Sequence, residues 1–233
     1  MPKINRSGVN IHFETYGNGP AIFLTHGFSD NLGIWKNQIK TLSKNNTLIL
    51  WDLKGHGNTD APYDMTHYSE EETILDMLEI LDHLNIKKAS IGGFSLGGYM
   101  SLAFYRKYPE RVSSLLIIDT GPGFKNDEAR ESWNKYAIKS AEKYEIRNRH
   151  GIGNAARGML TQKDDRIIKS LPDISVPTLI IVGEEDKPFL SAADYMNSKI
   201  KNSQKNIIPN AGHAVNIEQP ELFNSAVLDF LKI

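Results

Sequence analysis

One rhythm recurs along the sequence: a short apolar run of strand length, a few turn residues, then a stretch with helical spacing. The first segments, around Ile4 and residues 9–16, read as a hairpin turning at Ser7-Gly8. Six further runs follow: Ala21-Ile22-Phe23-Leu24-Thr25, Leu48-Ile49-Leu50-Trp51, Ala89-Ser90-Ile91, Leu115-Leu116-Ile117-Ile118, Thr178-Leu179-Ile180-Ile181-Val182 and Asn206-Ile207-Ile208. Runs this short, with no polar alternation, suit strands buried on both faces, as a parallel sheet requires. Between them, Ser69-Glu70-Glu71-Glu72 reads as a capping box opening a helix whose Ile74, Leu75, Leu78, Leu81 and Leu84 share a face. Residues 99–108, 192–200 and 221–231 read as further helices. Alternation of this kind predicts an α/β fold with a mostly parallel sheet.

One region breaks the rhythm. From 122 to 172 no strand is predicted, and the sequence is helical, notably over residues 126–150. The 233 residues suit one α/β domain carrying an insertion, so residues 1–121 and 173–233 are expected to form the core, with 122–172 as a helical addition over the sheet. Surface scaling at this mass gives roughly 10,600 Å² exposed when folded, which leaves ample core without disulfides or a structural metal. With 27 basic and 28 acidic side chains, no electrostatic case exists for nucleic acid or an anionic membrane. The absence of cysteine excludes disulfides, thiolate metal sites and a cysteine nucleophile. No apolar stretch has the length of a signal peptide or of the ~20 residues of a membrane helix. A cytoplasmic protein without a membrane partner is the expectation.

Gly93-Phe94-Ser95-Leu96-Gly97 stands between a predicted strand and a predicted helix. A serine on so sharp a turn has a strained backbone, and side chains at Gly93 or Gly97 would collide with neighbouring backbone. The strain lifts the hydroxyl clear of the sheet edge, and the following helix N-terminus favours developing negative charge. Such a serine needs a base, and the base needs an acid to orient it. Of the seven histidines, His213 is the one that leaves the last strand in a loop able to return to Ser95. Two carboxylates end neighbouring strands, Asp186 and Asp119, and either keeps the chain order serine, acid, histidine. Asp186 is preferred, with Asp119 read as a structural or hinge hydrogen-bonding group. In Thr25-His26-Gly27-Phe28 the glycine lets the chain turn so that the Phe28 amide, paired with that of Leu96, can form an oxyanion hole. His26 and the turn Asp52-Leu53-Lys54-Gly55-His56-Gly57 read as structural. The series Gly151-Ile152-Gly153-Asn154-Ala155-Ala156 imitates a dinucleotide fingerprint but follows helical sequence, not a strand. No metal-ligand spacing is found.

These pieces, with Gly183-Glu184-Glu185-Asp186 and Gly212-His213, resemble the α/β-hydrolase superfamily over nearly the whole chain. The resemblance implies an eight-stranded, mostly parallel sheet flanked by helices, with a helical cap inserted after the sixth strand. It implies Ser95 as nucleophile, His213 as base, Asp186 as acid, the Phe28 and Leu96 amides as oxyanion hole, and neither metal nor organic cofactor. A serine at the elbow sets the chain apart from the haloalkane dehalogenase and epoxide hydrolase branches, which use aspartate there. The capped branch of carboxylesterases, enol-lactonases and carbon–carbon bond hydrolases is most similar, although 122–172 is shorter than its usual cap. The implied function is hydrolysis of small to medium acyl esters. Lactone opening or carbon–carbon cleavage on the same triad, and a ligand receptor with little turnover, are the alternatives. Phe124, Trp133, Tyr136 and Met159 are expected to wall an apolar pocket for a small-molecule ester or lactone.

Overall fold

The computed structural model describes residues 2–232. Strands β1 (Lys3–Arg6) and β2 (Val9–Tyr16) form the hairpin, with Ser7 and Gly8 at positive φ in its turn. They are followed by β3 (Ala21–Thr25), β4 (Thr47–Trp51), β5 (Ala89–Phe94), β6 (Val112–Ile118), β7 (Thr178–Gly183) and β8 (Ser203–Ile208). The eight strands form one sheet in the order β1-β2-β4-β3-β5-β6-β7-β8. Pairing is antiparallel for β1/β2 and β2/β4 and parallel throughout the rest. Every residue of β5 and β7 is buried, as apolar runs without alternation require. Strand β8 is the exception: it begins earlier than its apolar part, at Ser203-Gln204-Lys205, because polar residues suit a sheet edge.

The helices are α1 (Lys36–Leu42), α2 (Glu70–His83), α3 (Leu96–Lys107), α4 (Asp127–Glu145), α5 (His150–Ala155), α6 (Arg166–Ser170), α7 (Lys187–Lys199), α8 (Val215–Glu218) and α9 (Pro220–Leu231). On one sheet face Ile22, Leu24, Leu50, Leu116 and Ile181 pack with Trp35, Leu42, Val215 and Phe223 from the α1, α8 and α9 side. On the other, Phe23, Ile91, Ile117 and Ile180 pack with Met77 and Ile80 of α2, Met100 and Phe104 of α3, and Met196 of α7. The exposed area is 10441 Å².

Two helices differ informatively from the sequence reading. In α2 the predicted stripe is rotated: Met77 and Ile80 are buried, while Leu75 and Leu78 are only partly so. The rotation carries Asp76 inside, where it meets buried Lys54 at 3.1 Å and the guanidinium of Arg6. The capping box is half formed. Ser69 Oγ accepts from the Glu72 amide at 3.0 Å, but the Glu72 carboxylate turns to Arg6 and Lys54 instead of reaching back. The expected helix over 126–150 breaks after Glu145, where Asn148 takes positive φ, and restarts at His150.

Between β6 and β7 no strand occurs among the described residues. The segment holds α4, α5, a turn of π-helix at Ala156–Leu160, and α6. The two glycines of the false dinucleotide fingerprint lie in α5. A Cβ on Gly151 would lie 2.8 Å from Gly55 Cα, and one on Gly55 would lie 2.4 Å from Gly151 O. The glycine at 151 therefore serves close packing of this segment on the loop after β4, not phosphate binding. Among the described residues no helix is long and apolar enough to cross a membrane.

Candidate active site

Ser95 sits where β5 becomes α3, with φ 52° and ψ −116°. A non-glycine residue there is strained, and the turn persists because its surroundings allow nothing else. The Ser95 amide donates to Ile118 O at 2.9 Å, and its carbonyl accepts from the Gly98 amide at 2.9 Å. A Cβ on Gly97 would lie 2.2 Å from Thr25 O, and one on Gly93 would lie 2.4 Å from the Gly97 carbonyl carbon. These are the backbone collisions that the sequence pattern implied.

His213 follows β8 and returns to the elbow. Its Nε2 lies 3.2 Å from Ser95 Oγ, and its Nδ1 lies 2.8 Å from Asp186 Oδ2. Asp186 is buried at the end of β7, whereas His213 is partly open. With the ring proton on Nδ1 and donated to the carboxylate, Nε2 can accept the serine proton. Two aromatic rings hold the imidazole: Phe189 stacks on it and Phe94 lies tilted against it, both with centroids 5.0 Å away. Phe189 escaped the sequence reading. Pro188 in the first turn of α7 was the available signal, since a proline there starts the helix directly after Asp186.

Asp119 also lies at this sheet edge, where it meets two backbone amides and the side chain of Asp186. Its Oδ1 accepts from the Gly183 amide at 2.9 Å and its Oδ2 from the Val215 amide at 3.3 Å. It thereby ties β6 to the end of β7 and the start of α8, the two segments that present Asp186 and His213. Burial, helped by the charge of Asp186, pushes the Asp119 carboxyl up to about 8 against the pull of those two donors.

The loop carrying Phe28 is pinned by two buried histidines. His26 Nε2 accepts from the Leu53 amide at 3.0 Å, and its Nδ1 lies 2.7 Å from Gly27 O. His56 Nε2 accepts from the Ser29 amide at 3.0 Å. Burial disfavours the charged form of both rings, lowering His56 to about 3 with a further push from His26. With Nε2 of each ring accepting an amide proton, they act as neutral hydrogen-bonding braces. The loop they brace reaches Ser95: a Cβ on Gly27 would lie 3.4 Å from Ser95 Cβ. Among the described residues, neither the Phe28 amide nor the Leu96 amide has an acceptor within the protein. Two free donors beside a serine hydroxyl are what a developing oxyanion needs.

Two spaces meet at Ser95. An inner pocket of about 130 Å³ runs over Leu96 and Tyr99 toward Phe124, Trp133 and Met159. An outer cleft of about 550 Å³ is bordered by Phe28, Ser140, Lys143, Tyr144 and His213. Trp133 and Phe189 border both. Tyr136 differs from the other three pocket residues of the sequence reading. It is 58% exposed and borders only the outer cleft, because it lies one turn beyond Trp133 on α4, toward solvent. Among the described residues no basic side chain lines the inner pocket. Among the described residues no three His, Asp or Glu side chains group as metal ligands.

A family model described as the alpha/beta hydrolase fold matches residues 20–144, more than half of the chain. The chain belongs to the α/β-hydrolase family. This α/β-hydrolase is 31% identical to a putative 2-succinyl-6-hydroxy-2,4-cyclohexadiene-1-carboxylate synthase of Bacillus subtilis, over 95% of each chain. It is 28% identical to 3-oxoadipate enol-lactonase 1 of Acinetobacter baylyi, over 98% of this chain and 95% of that one. Among solved structures, a thermophilic esterase from Thermogutta terrifontis superimposes with a TM-score of 0.87 at 28% identity, covering 100% of this α/β-hydrolase and 98% of the esterase.

Proposed function

We propose that the protein hydrolyses carboxylic esters of small to medium, largely apolar acyl groups. The observation that carries this reading is the hydrogen-bonded series Ser95, His213 and Asp186 at a strained elbow that opens on an apolar pocket. In the proposed cycle His213 takes the Ser95 proton as the hydroxyl oxygen attacks the ester carbonyl, and Asp186 stabilises the imidazolium. The Phe28 and Leu96 amides hold the oxyanion. The carbonyl–alkoxy bond breaks as His213 returns the proton to the leaving alcohol, and water then repeats the steps on the acyl-enzyme. The segment over residues 122–172 serves as the cap whose residues wall the acyl site.

The relatives' names describe other reactions. The esterase neighbour, at 28% identity, supports the ester reading. A lactone would be opened by the same steps.

The test is labelling with a fluorophosphonate and turnover of p-nitrophenyl butyrate. Ser95 should be the single labelled serine, and Ser95→Ala should lower turnover by roughly 10⁶-fold. Sustained multiple turnover supports an enzyme, whereas one slow stoichiometric burst would make the protein a receptor. Label on another serine would end the reading.

A further inference from the structure

The glycines of the elbow are forced by their surroundings: a Cβ on Gly93, Gly97 or Gly98 would lie within 2.5 Å of an existing atom. Gly121, just past the end of β6, is different. Its φ lies outside the left-handed region, so its backbone suits any residue. An added Cβ would meet nothing closer than Ala192 Cβ at 3.5 Å and the ring edge of Phe189 at 3.9 Å, which are ordinary van der Waals contacts. Neither conformation nor collision therefore calls for a glycine here. What the missing side chain leaves is breadth in the inner pocket, which Gly121, Phe189 and Ala192 all border.

Phe189 fixes where that breadth lies. The face of its ring is stacked on the His213 imidazole, with centroids 5.0 Å apart, while Cδ1 and Cε1 at its edge face Gly121. Ser95 borders the same pocket. The space beside Gly121 thus flanks the end of an acyl chain that is attached to Ser95, next to its carbonyl. Phe124, Trp133 and Met159 border the pocket further in and limit length, whereas Gly121 and Ala192 set its width. A methyl-sized gap between apolar groups does not attract water, and its walls forfeit dispersion contacts until an apolar group fills it.

We propose that Gly121 is a specificity residue whose missing side chain admits a methyl branch on the acyl group beside its carbonyl, so that esters of short branched acids are substrates as well as those of straight ones. The exchange is methyl for methyl: the carbon that a branch brings into the space is the carbon that an alanine at 121 would put there. The inference rests on the ester-hydrolase reading for its choice of ligand, and its test separates the two.

The experiment measures kcat/KM for p-nitrophenyl propionate and p-nitrophenyl 2-methylpropionate. Each value is divided by the rate constant of the same ester with hydroxide, which removes the intrinsic effect of the branch on reactivity. On that scale the parent protein should turn over the branched ester at least as well as the straight one. Gly121→Ala should lower the branched-to-straight ratio by roughly fourfold or more, the worth of one buried methylene. A parent protein that disfavours the branched ester on this scale, or a ratio that Gly121→Ala leaves unchanged, overturns the proposal, even if Ser95 proves to be the nucleophile. An equal fall for both esters also overturns it, because the added carbon would then have pushed Phe189 off His213 instead of occupying the branch site. Gly121→Ala should melt no lower than the parent protein, since its Cβ enters without a clash. A clear drop would mean that the fold and not the ligand requires this glycine, and would overturn the proposal too. Equilibrium binding of the two methyl esters to Ser95→Ala, with and without Gly121→Ala, reads the same ratio where there is no turnover. The expected shift in binding, found in a protein that turns over neither ester, would support the proposal and count against the ester reading alone.

Discussion

The ring of Phe189 lies stacked on the imidazole of His213, 5.0 Å away and 23° from parallel, and its backbone amide donates to the carbonyl of Asp186 at 2.9 Å. The N-cap and first turn of α7 therefore supply the carboxylate that faces Nδ1 and the surface that fixes the plane of the ring. A histidine partly open to solvent would otherwise swing about its Cα–Cβ bond, and small displacements of a proton carrier are costly. Phe189→Ala should lower kcat/KM for p-nitrophenyl acetate by about 10- to 100-fold while leaving slow fluorophosphonate labelling of Ser95 detectable. Phe189→Leu, which keeps bulk but not the flat face, should fall between. Unchanged kcat/KM in Phe189→Ala would mean that Asp186 and Phe94 suffice to hold the ring.

The two carboxylates at the sheet edge should separate cleanly in kinetics. Asp186 alone meets His213 Nδ1, so Asp186→Asn should cost up to about 10⁴-fold in kcat by favouring the wrong tautomer. Asp119 meets two backbone amides and the side chain of Asp186, and among the described residues it makes no hydrogen bond with His213, so Asp119→Asn should cost far less in kcat on the folded protein. The reverse ranking, measured on variants with parent-like circular dichroism, would transfer the acid role to Asp119.

Asp119 should instead show itself in stability against pH. Its carboxyl is raised to about 8 in the folded protein, so across the range from about 4 to 8 the folded state holds a proton that the unfolded state has released. The unfolded state then binds fewer protons, and stability falls as pH rises. Its contribution declines by at most about 1.4 kcal/mol per pH unit, and the decline ends above about 8. Urea unfolding from pH 4 to 9 should show a shallower fall for Asp119→Asn than for the parent. Parallel curves would mean that Asp119 stays ionised under its two amide donors.

Much of this arrangement is written locally, and what is not depends on remote partners. The apolar runs at residues 21–25, 115–118 and 178–182 mark strands, because burial on both faces leaves no room for alternation. The elbow was legible because a turn this sharp brings Gly93 against Gly97 within the motif itself, although Gly97 also answers to the remote backbone of Thr25. By contrast, nothing near Asp76 in sequence reveals that Lys54 and Arg6 come inside with it, which rotates α2 off its most apolar face. Helix α7 begins at Lys187 and not near residue 192, because Pro188 suits a first turn. Gln162 is invisible as a pocket residue until Asn134, 28 positions earlier, clamps its backbone. The same limit applied to Tyr136, which shares an aromatic cluster with Trp133 yet borders only the outer cleft.

The size of the inner pocket sets the acyl-length profile. Its volume of about 130 Å³ is close to the ~150 Å³ of an engineered apolar cavity that accepts benzene, so it has space for roughly six carbon atoms. Each methylene that enters contributes about 0.8 kcal/mol, or roughly fourfold in kcat/KM when it is gained in the transition state. The rise cannot continue once Phe124, Trp133 and Met159 are reached, because the next methylene must displace packed side chains or turn back into the outer cleft. For p-nitrophenyl esters kcat/KM should therefore climb from acetate to about butyrate or hexanoate, then level or fall. The outer cleft is several times larger, so changing the alcohol at constant acyl group should alter kcat/KM far less than changing the acyl group. A steady rise through dodecanoate would mean that the pocket extends beyond its present end. Strict preference for acetate would mean that Trp133 and Phe189 close directly over Ser95 when substrate binds.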